Sequence, residues 1–256
     1  MKAAISTACF YPEQPEISVQ NIKSAGVSEI EFFANSQSEY GNAYIEKFNE
    51  ILKKNGQSLY SFHPFSSYSE TFLLFSFYKR RVQDGMDDYK YQFEQAKKMG
   101  AQVFTFHGEY NTGRCDIDRY CEVYSKLYSA ARDSGVIFAQ ENVAYCKAGR
   151  PEFISEMRKR LGDDIAFTLD IKQAGRAYVS PFEILKVMEG RIVNLHINDF
   201  SDTKSCLLPF AGTFDLKEFC GEISKSYKGP AVIEVYRENF GGLEELAESA
   251  RRIEEL

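Results

Sequence analysis

The sequence predicts a closed (β/α)8 barrel, and three observations carry that expectation. Short apolar strands alternate strictly with amphipathic helices, which predicts a parallel sheet with helices outside it. Eight such units can be counted, and 256 residues leave about 32 for each, a length suited to a barrel. The doubly wound open sheet is the rival arrangement. It would commonly place a Gly-rich nucleotide loop after the first strand, and none follows Thr7.

The first expected strand is Ala3 to Thr7, followed by a helix from about Ile17 to Ala25 that Gly26 closes. Val27 to Phe33 (VSEIEFF) is the second strand, and its helix runs through Tyr44 to Lys54 and stops at Gly56. Leu59 to His63 is the third, ended by Pro64. The aromatic-rich stretch Phe65 to Tyr78 then reads as a long active-site loop opening a helix that continues through Tyr89 and Phe93 to Gly100. The fourth strand, Val103 to His107, leads through a glycine-containing loop to a helix from about Ile117 to Asp133. Four further strands follow: Val136 to Glu141, Ile165 to Asp170, Ile192 to His196 and Ala231 to Val235. Their helices are expected near Glu152 to Leu161, Pro181 to Met188, Leu216 to Ser226 and Leu243 to Glu255. There is no low-complexity linker or break in composition, so residues 1–256 are expected to form one domain.

Composition narrows the partners. An apolar fraction of 44 % supports a large core. A formal charge of −6 gives a polyanion no general attraction, which counts against nucleic acid. Six scattered cysteines form no Cys-x-x-Cys pair and read as reduced thiols. With no long apolar h-region at the N-terminus and no apolar run of membrane-spanning length, a cytoplasmic protein is expected. Self-association is left open.

The chemistry gathers where the strands end. His63, His107, Glu141, Asp170, His196 and Glu234 terminate the third to eighth strands in turn, each about one unit from the last. In a barrel those ends open on one face, where catalytic residues lie. Taken singly, each has a plain explanation: a carboxylate caps the next helix, and a lone histidine is more often structural than a ligand. Together they say more, because all three histidines of the chain fall at strand ends of one pole. Three carboxylates and an imidazole suit a divalent ion such as Mn²⁺, Mg²⁺, Co²⁺ or Zn²⁺, and the lack of thiolates argues against a structural zinc cage. Such an ion binds vicinal oxygens and acidifies a neighbouring C–H, while flanking glutamates move protons.

The stretches SFHPF (61–65), FHGE (106–109), ENVA (141–144), TLDIKQA (168–174), LHIND (195–199) and IEVY (233–236) resemble the strand-end motifs of the xylose-isomerase-like TIM barrels. That family includes sugar isomerases and epimerases and the endonuclease IV class of apurinic-site nucleases. The resemblance implies a metal held by Glu141, Asp170, His196 and Glu234, with Glu141 and Glu234 also the proton-transferring pair of the epimerase branch. In the nuclease branch, His63 and His107 would join Glu141 around a second metal; otherwise they bind substrate. This chain departs from the nuclease pattern at Gln173, where a further histidine is expected, and at 204–208 (KSCLL), which supplies no Asp-x-His pair.

Softer candidates complete the reading. Gln173, Arg237 and Tyr236 are expected to contact substrate. For Lys172, Arg176 and Lys204 a solvated surface charge is the favoured reading. Asn198 and Asp199 are candidate supports for His196. The loop Leu207 to Asp215 resembles the family's segment after strand seven, with Asp215 as a helix cap. Phe10, Phe65, Tyr68 and Tyr236 are candidate pocket walls. The expected function is metal-dependent isomerisation or epimerisation of a small sugar or hydroxy-carbonyl compound through an enediolate. A dehydratase of the same fold, an apurinic-site nuclease and a non-catalytic sugar-binding protein are the alternatives.

Overall fold

A computed structural model describes residues 1–256. Eight strands, β1 (Ala3–Ser6), β2 (Glu29–Phe33), β3 (Ser58–His63), β4 (Val103–Phe106), β5 (Ile137–Glu141), β6 (Ala166–Asp170), β7 (Ile192–Ile197) and β8 (Ala231–Ile233), form a closed barrel. All neighbours are parallel, and β8 closes on β1 through Ala3 opposite Ala231 and Ile5 opposite Ile233. Two register shifts interrupt the ladders, at Ile30/Glu31 between β2 and β3 and at Phe167/Thr168 between β6 and β7.

The helices are α1 (Pro15–Ser24), α2 (Asn42–Asn55), α3 (Glu70–Leu73), α4 (Lys79–Lys98), α5 (Ile117–Ser134), α6 (Pro151–Leu161), α7 (Ile171–Arg176), α8 (Pro181–Met188), α9 (Leu216–Ile223) and α10 (Leu243–Glu254). Their ends follow local chemistry. Prolines start α1, α6 and α8, where a missing N–H costs nothing. Asp116 caps α5 by accepting from the Arg119 N–H at 2.9 Å, and Gly135 ends it in the left-handed conformation at φ +83°.

Much of the core is aromatic and lies between barrel and helices. Phe104 of β4 packs against Phe62 of β3 at 5.3 Å between ring centroids and edge-on to Phe93 of α4 at 4.8 Å. All three rings are fully buried. Phe104→Ala is therefore expected to cost about 3–5 kcal/mol and lower Tm by on the order of 10 °C. A shift below about 3 °C by differential scanning fluorimetry would mean that the neighbouring rings collapse into the gap.

Two connections differ from the sequence expectation. The stretch after β3 is a short 3₁₀ turn (Phe65–Ser69) and α3, tied down by Glu70, whose carboxylate accepts from the Tyr89 hydroxyl and the Gly108 N–H. No residue between 64 and 78 lines the mouth cavity, so this loop flanks the mouth rather than walling it. After β6 the chain enters α7 at once, a six-residue helix too short to show a periodicity. All six cysteines are buried and unpaired. No helix is long and apolar enough to cross a membrane.

Candidate metal centre at the barrel mouth

The carboxyl ends of β3 to β8 bring the six strand-end residues to one place. Glu141, Asp170 and His196 lie in β5, β6 and β7, whereas Glu234 lies one residue beyond β8, where the chain leaves the ladder. The ligand atoms of these four residues all lie within 4.8 Å of one another. His196 Nδ1 is 3.4 Å from Glu141 Oε1, 3.5 Å from Glu234 Oε2 and 3.7 Å from Asp170 Oδ2. Donors about 2.1 Å from an ion at tetrahedral angles stand about 3.4 Å apart, so the spacing fits a first-row divalent cation.

The hydrogen-bond inventory supports the same fit. Asp170 Oδ2 and His196 Nδ1 are buried with no hydrogen-bond partner, a costly state for polar atoms unless something binds them. Asp170 also does the cap's work. Its Oδ1 accepts from the Gln173 N–H at 3.0 Å and from Asn198 Nδ2 at 3.2 Å, which leaves Oδ2 for the centre. Asn142 fixes the Asp170 backbone on both sides, donating to its carbonyl at 2.9 Å and accepting from its N–H at 2.7 Å.

The residue that orients His196 comes from β2, a strand that supplies no ligand. Glu31 Oε2 lies 2.9 Å from His196 Nε2, and it accepts from Ser61 Oγ at 2.7 Å and Asn194 Nδ2 at 3.2 Å. Both Glu31 and His196 are 0 % exposed. A carboxylate there takes the Nε2–H, so Nδ1 is the nitrogen turned to the centre. Burial alone would raise the Glu31 pKa, but His196 outweighs it and holds the carboxyl at about 2. Burial opposes charge on His196, yet Glu31, Glu234, Asp170 and Glu141 together raise its pKa well above the usual value. Sequence inspection did not single out Glu31; the available signal was Glu29-Ile30-Glu31, acids alternating along an apolar strand and so pointing into the barrel. Glu31→Gln is expected to weaken divalent-metal binding about 10- to 100-fold with the fold retained. Unchanged Mn²⁺ affinity by isothermal titration would remove this role.

His63 and His107 form a second group around Glu141. Their Nε2 atoms are 2.9 Å apart, and His107 Nε2 is 3.0 Å from Glu141 Oε2. His63 Nδ1 is 3.2 Å from the Pro64 carbonyl, which takes its proton and leaves Nε2 as an acceptor. Burial would lower the His63 pKa, but Glu141 and Glu31 raise it; burial and His63 lower that of His107 against the pull of Glu141. Burial also opposes charge on Glu141, and the three histidines overcome it, holding the carboxyl well below the ordinary range.

Above these groups lies a cavity of about 360 Å³, large enough for a small substrate. Its lining joins the apolar and aromatic Tyr11, Phe33, Tyr145 and Val235 with the polar Lys172, Gln173, Arg176 and Tyr236. Gln173 and Tyr236 line this cavity. Arg237 does not line the cavity: its Nη1 donates to the Phe240 carbonyl at 2.9 Å and its guanidinium stacks over the Phe240 ring. Arg176 takes that place, donating to the Tyr236 hydroxyl at 2.8 Å. Phe10 is a core residue packed on Phe240, and Tyr68 is exposed away from the cavity.

Two other expectations are revised. Asp199 does not support His196; it ties the following loop, accepting from the Phe200, Gly212 and Phe214 N–H groups at 2.7, 2.9 and 3.2 Å. Lys172 is no solvated surface charge. It is 2 % exposed, with Nζ 2.7 Å from Glu234 Oε2 and 3.5 Å from Asp170 Oδ2. Its place on the first turn of α7 turns it back over the barrel end.

An eight-stranded parallel barrel with an acidic, histidine-bearing mouth defines a class of protein whose active sites lie at the carboxyl ends of the strands. Residues 19–256 match the family model described as xylose isomerase-like TIM barrel, and the chain belongs to that family. No curated protein matches it significantly. Among solved structures it is similar to a D-tagatose 3-epimerase-like protein, at 19 % identity and TM-score 0.77, covering 100 % of this chain and 95 % of that one. It is similar also to the 3-keto-D-glucoside 4-epimerase YcjR from E. coli, at 14 % identity and TM-score 0.78 over 100 % of both chains. A third is the IOLI protein with a bound zinc atom, at 15 % identity and TM-score 0.79, covering 99 % of this chain and 96 % of that one.

Proposed function

We propose that this protein is a divalent-metal-dependent isomerase or epimerase of a small sugar or hydroxy-carbonyl compound. The observation that carries the reading is the convergence of Glu141 and Glu234 with Asp170 and His196 beneath a substrate-sized cavity. The names of the structural neighbours, two of them sugar-epimerase descriptions and one a zinc-bound protein, point the same way. Glu141, Asp170, His196 and Glu234 would hold the ion, which when bound supplies charge stabilisation to neighbouring substrate oxygens.

The remaining chemistry belongs to the side chains. Glu141 and Glu234 lie on either side of the substrate; one removes the proton from carbon and the other returns one, giving an enediolate between the two steps. His63 and His107 bind substrate hydroxyls, with Gln173, Tyr236 and Arg176 holding its outer end. The apolar wall of Tyr11, Phe33 and Tyr145 excludes water from the carbanion-like carbon.

The test is solvent exchange. Purified protein with Mn²⁺ is incubated in D₂O with a panel of ketoses and keto-acids, and carbon-bound deuterium is followed by NMR. Incorporation coupled to isomer formation is expected; no exchange with any member of the panel would defeat the reading, and loss of water from an inosose or dehydroshikimate would replace it with a dehydratase. The His63–His107–Glu141 group favours one second reading, an apurinic-site nuclease. It requires cleavage of abasic DNA and more than one ion per chain.

A further inference from the structure

The buried lysine at the centre has no role in the metal scheme above, yet it is built into the site with unusual care. Lys172 sits on the first turn of α7, two residues after Asp170, and lines the mouth cavity. Its ammonium touches two of the four proposed metal ligands, Glu234 at 2.7 Å and Asp170 at 3.5 Å, and lies 5.2 Å from the centre of the Tyr236 ring. One of its three N–H bonds is donated to Glu234, and Asp170 stands only at ion-pair distance. The other two make no hydrogen bond to the protein, which leaves an N–H free to face the cavity.

Charge explains why a cation stands there. Glu31, Glu141, Asp170 and Glu234 are four carboxylates packed in or beside one buried space. A divalent ion offsets two of them, and Lys172 offsets part of the remainder. A lysine placed only for balance needs no access to the cavity, whereas this one borders it.

We propose that Lys172 is the electrophilic partner of the centre: its free N–H receives the substrate oxygen on which negative charge develops as the neighbouring carbon loses its proton. This rests on the isomerase reading and sharpens the substrate class to α-hydroxy-carbonyl compounds, in which one oxygen must carry that charge. The step balances without another reactant. A C–H bond breaks, the proton goes to a glutamate, the electron pair forms a C=C bond, and the former carbonyl oxygen becomes the anion facing the ammonium. Lys172 stays protonated throughout.

The experiment compares wild type with Lys172→Met, an uncharged side chain of similar length. Two binding readouts do not depend on turnover: Mn²⁺ affinity by isothermal titration, and affinity of the Mn²⁺-loaded protein for glycolohydroxamate, a small mimic of an enediolate. Lys172→Met is expected to bind Mn²⁺ at least as tightly as wild type, since a repelling charge is gone, and to bind glycolohydroxamate about 100-fold more weakly. With an active substrate, kcat is expected to fall about 10²- to 10³-fold with KM changed less than about threefold, and ethylammonium should partly restore Lys172→Ala. Equal hydroxamate affinity in the two proteins, or none in wild type, would overturn the proposal. Loss of Mn²⁺ binding in Lys172→Met would overturn it differently, by making Lys172 a support for the ligands. Hydroxamate binding that depends on Lys172 in a protein that exchanges no substrate proton would instead count against the isomerase reading alone.

Discussion

Glu234→Gln is expected to lower kcat by about 10²- to 10⁴-fold, the range for removing a positioned acid–base group, when measured at saturating Mn²⁺. The amide keeps the size of the side chain, and its carbonyl oxygen can still accept from Lys172, which now lies 2.7 Å from Glu234 Oε2. Glu234 also sits just outside β8 and contributes only a backbone N–H, 3.4 Å from the Ile197 carbonyl, to the barrel. Tm should therefore move by less than about 3 °C. Turnover within threefold of wild type would deny Glu234 a role in proton transfer. A collapse in Tm would show instead that the carboxylate is chiefly a counter-charge for Lys172.

Chelation should abolish turnover, and adding back Mn²⁺, Mg²⁺, Co²⁺ or Zn²⁺ should restore it. A metal-free enzyme that stays active in chelator would sink the metal assignment. Ion binding should also stabilise the fold by about 2.7 kcal/mol at 100 times its Kd, raising Tm by roughly 5–10 °C. The pH dependence has a definite sign. His196 is held well above its ordinary pKa by four surrounding carboxylates, against the effect of burial, so in the metal-free protein an ion must displace a proton from it. Below that raised pKa, apparent affinity should climb about tenfold per pH unit as pH rises, and level off above it. A pH-independent affinity would mean that His196 is not a ligand.

How much of this could be read in the sequence depends on where each residue acts. The strand ends were legible, because an apolar run that stops at a histidine or carboxylate marks both a position along the strand and a chemistry. The ring from His63 to Glu234 followed once the barrel was inferred. Glu31 was not legible, since its function is a contact across the barrel with His196, 165 residues away. Lys172 was misread for a related reason. IKQAGR looks polar and solvent-facing, and nothing in it shows that α7 starts directly on β6 and folds its first turn over the mouth. The choice between Arg176 and Arg237 rests on the same short helix and on the turn at 237–239, neither of which has a periodic signature. The aromatic stretch after His63 promised a pocket wall, but Glu70 fastens it to Tyr89 and Gly108 on the flank.

The register slip at Ile30/Glu31 has a bearing on how such a centre diversifies. It falls at the carboxylate that holds the proposed nitrogen ligand, and the serine and asparagine that steady that carboxylate sit on β3 and β7. The more firmly Glu31 draws on the Nε2 proton, the more anionic the imidazole becomes, and the more the centre favours borderline ions such as zinc and cobalt over magnesium. Metal preference can therefore drift through substitutions at Ser61 or Asn194 while every ligand stays unchanged. Two relatives with identical ligand sets need not share an ion, and the barrel interior at β2, β3 and β7 is where their difference would be written.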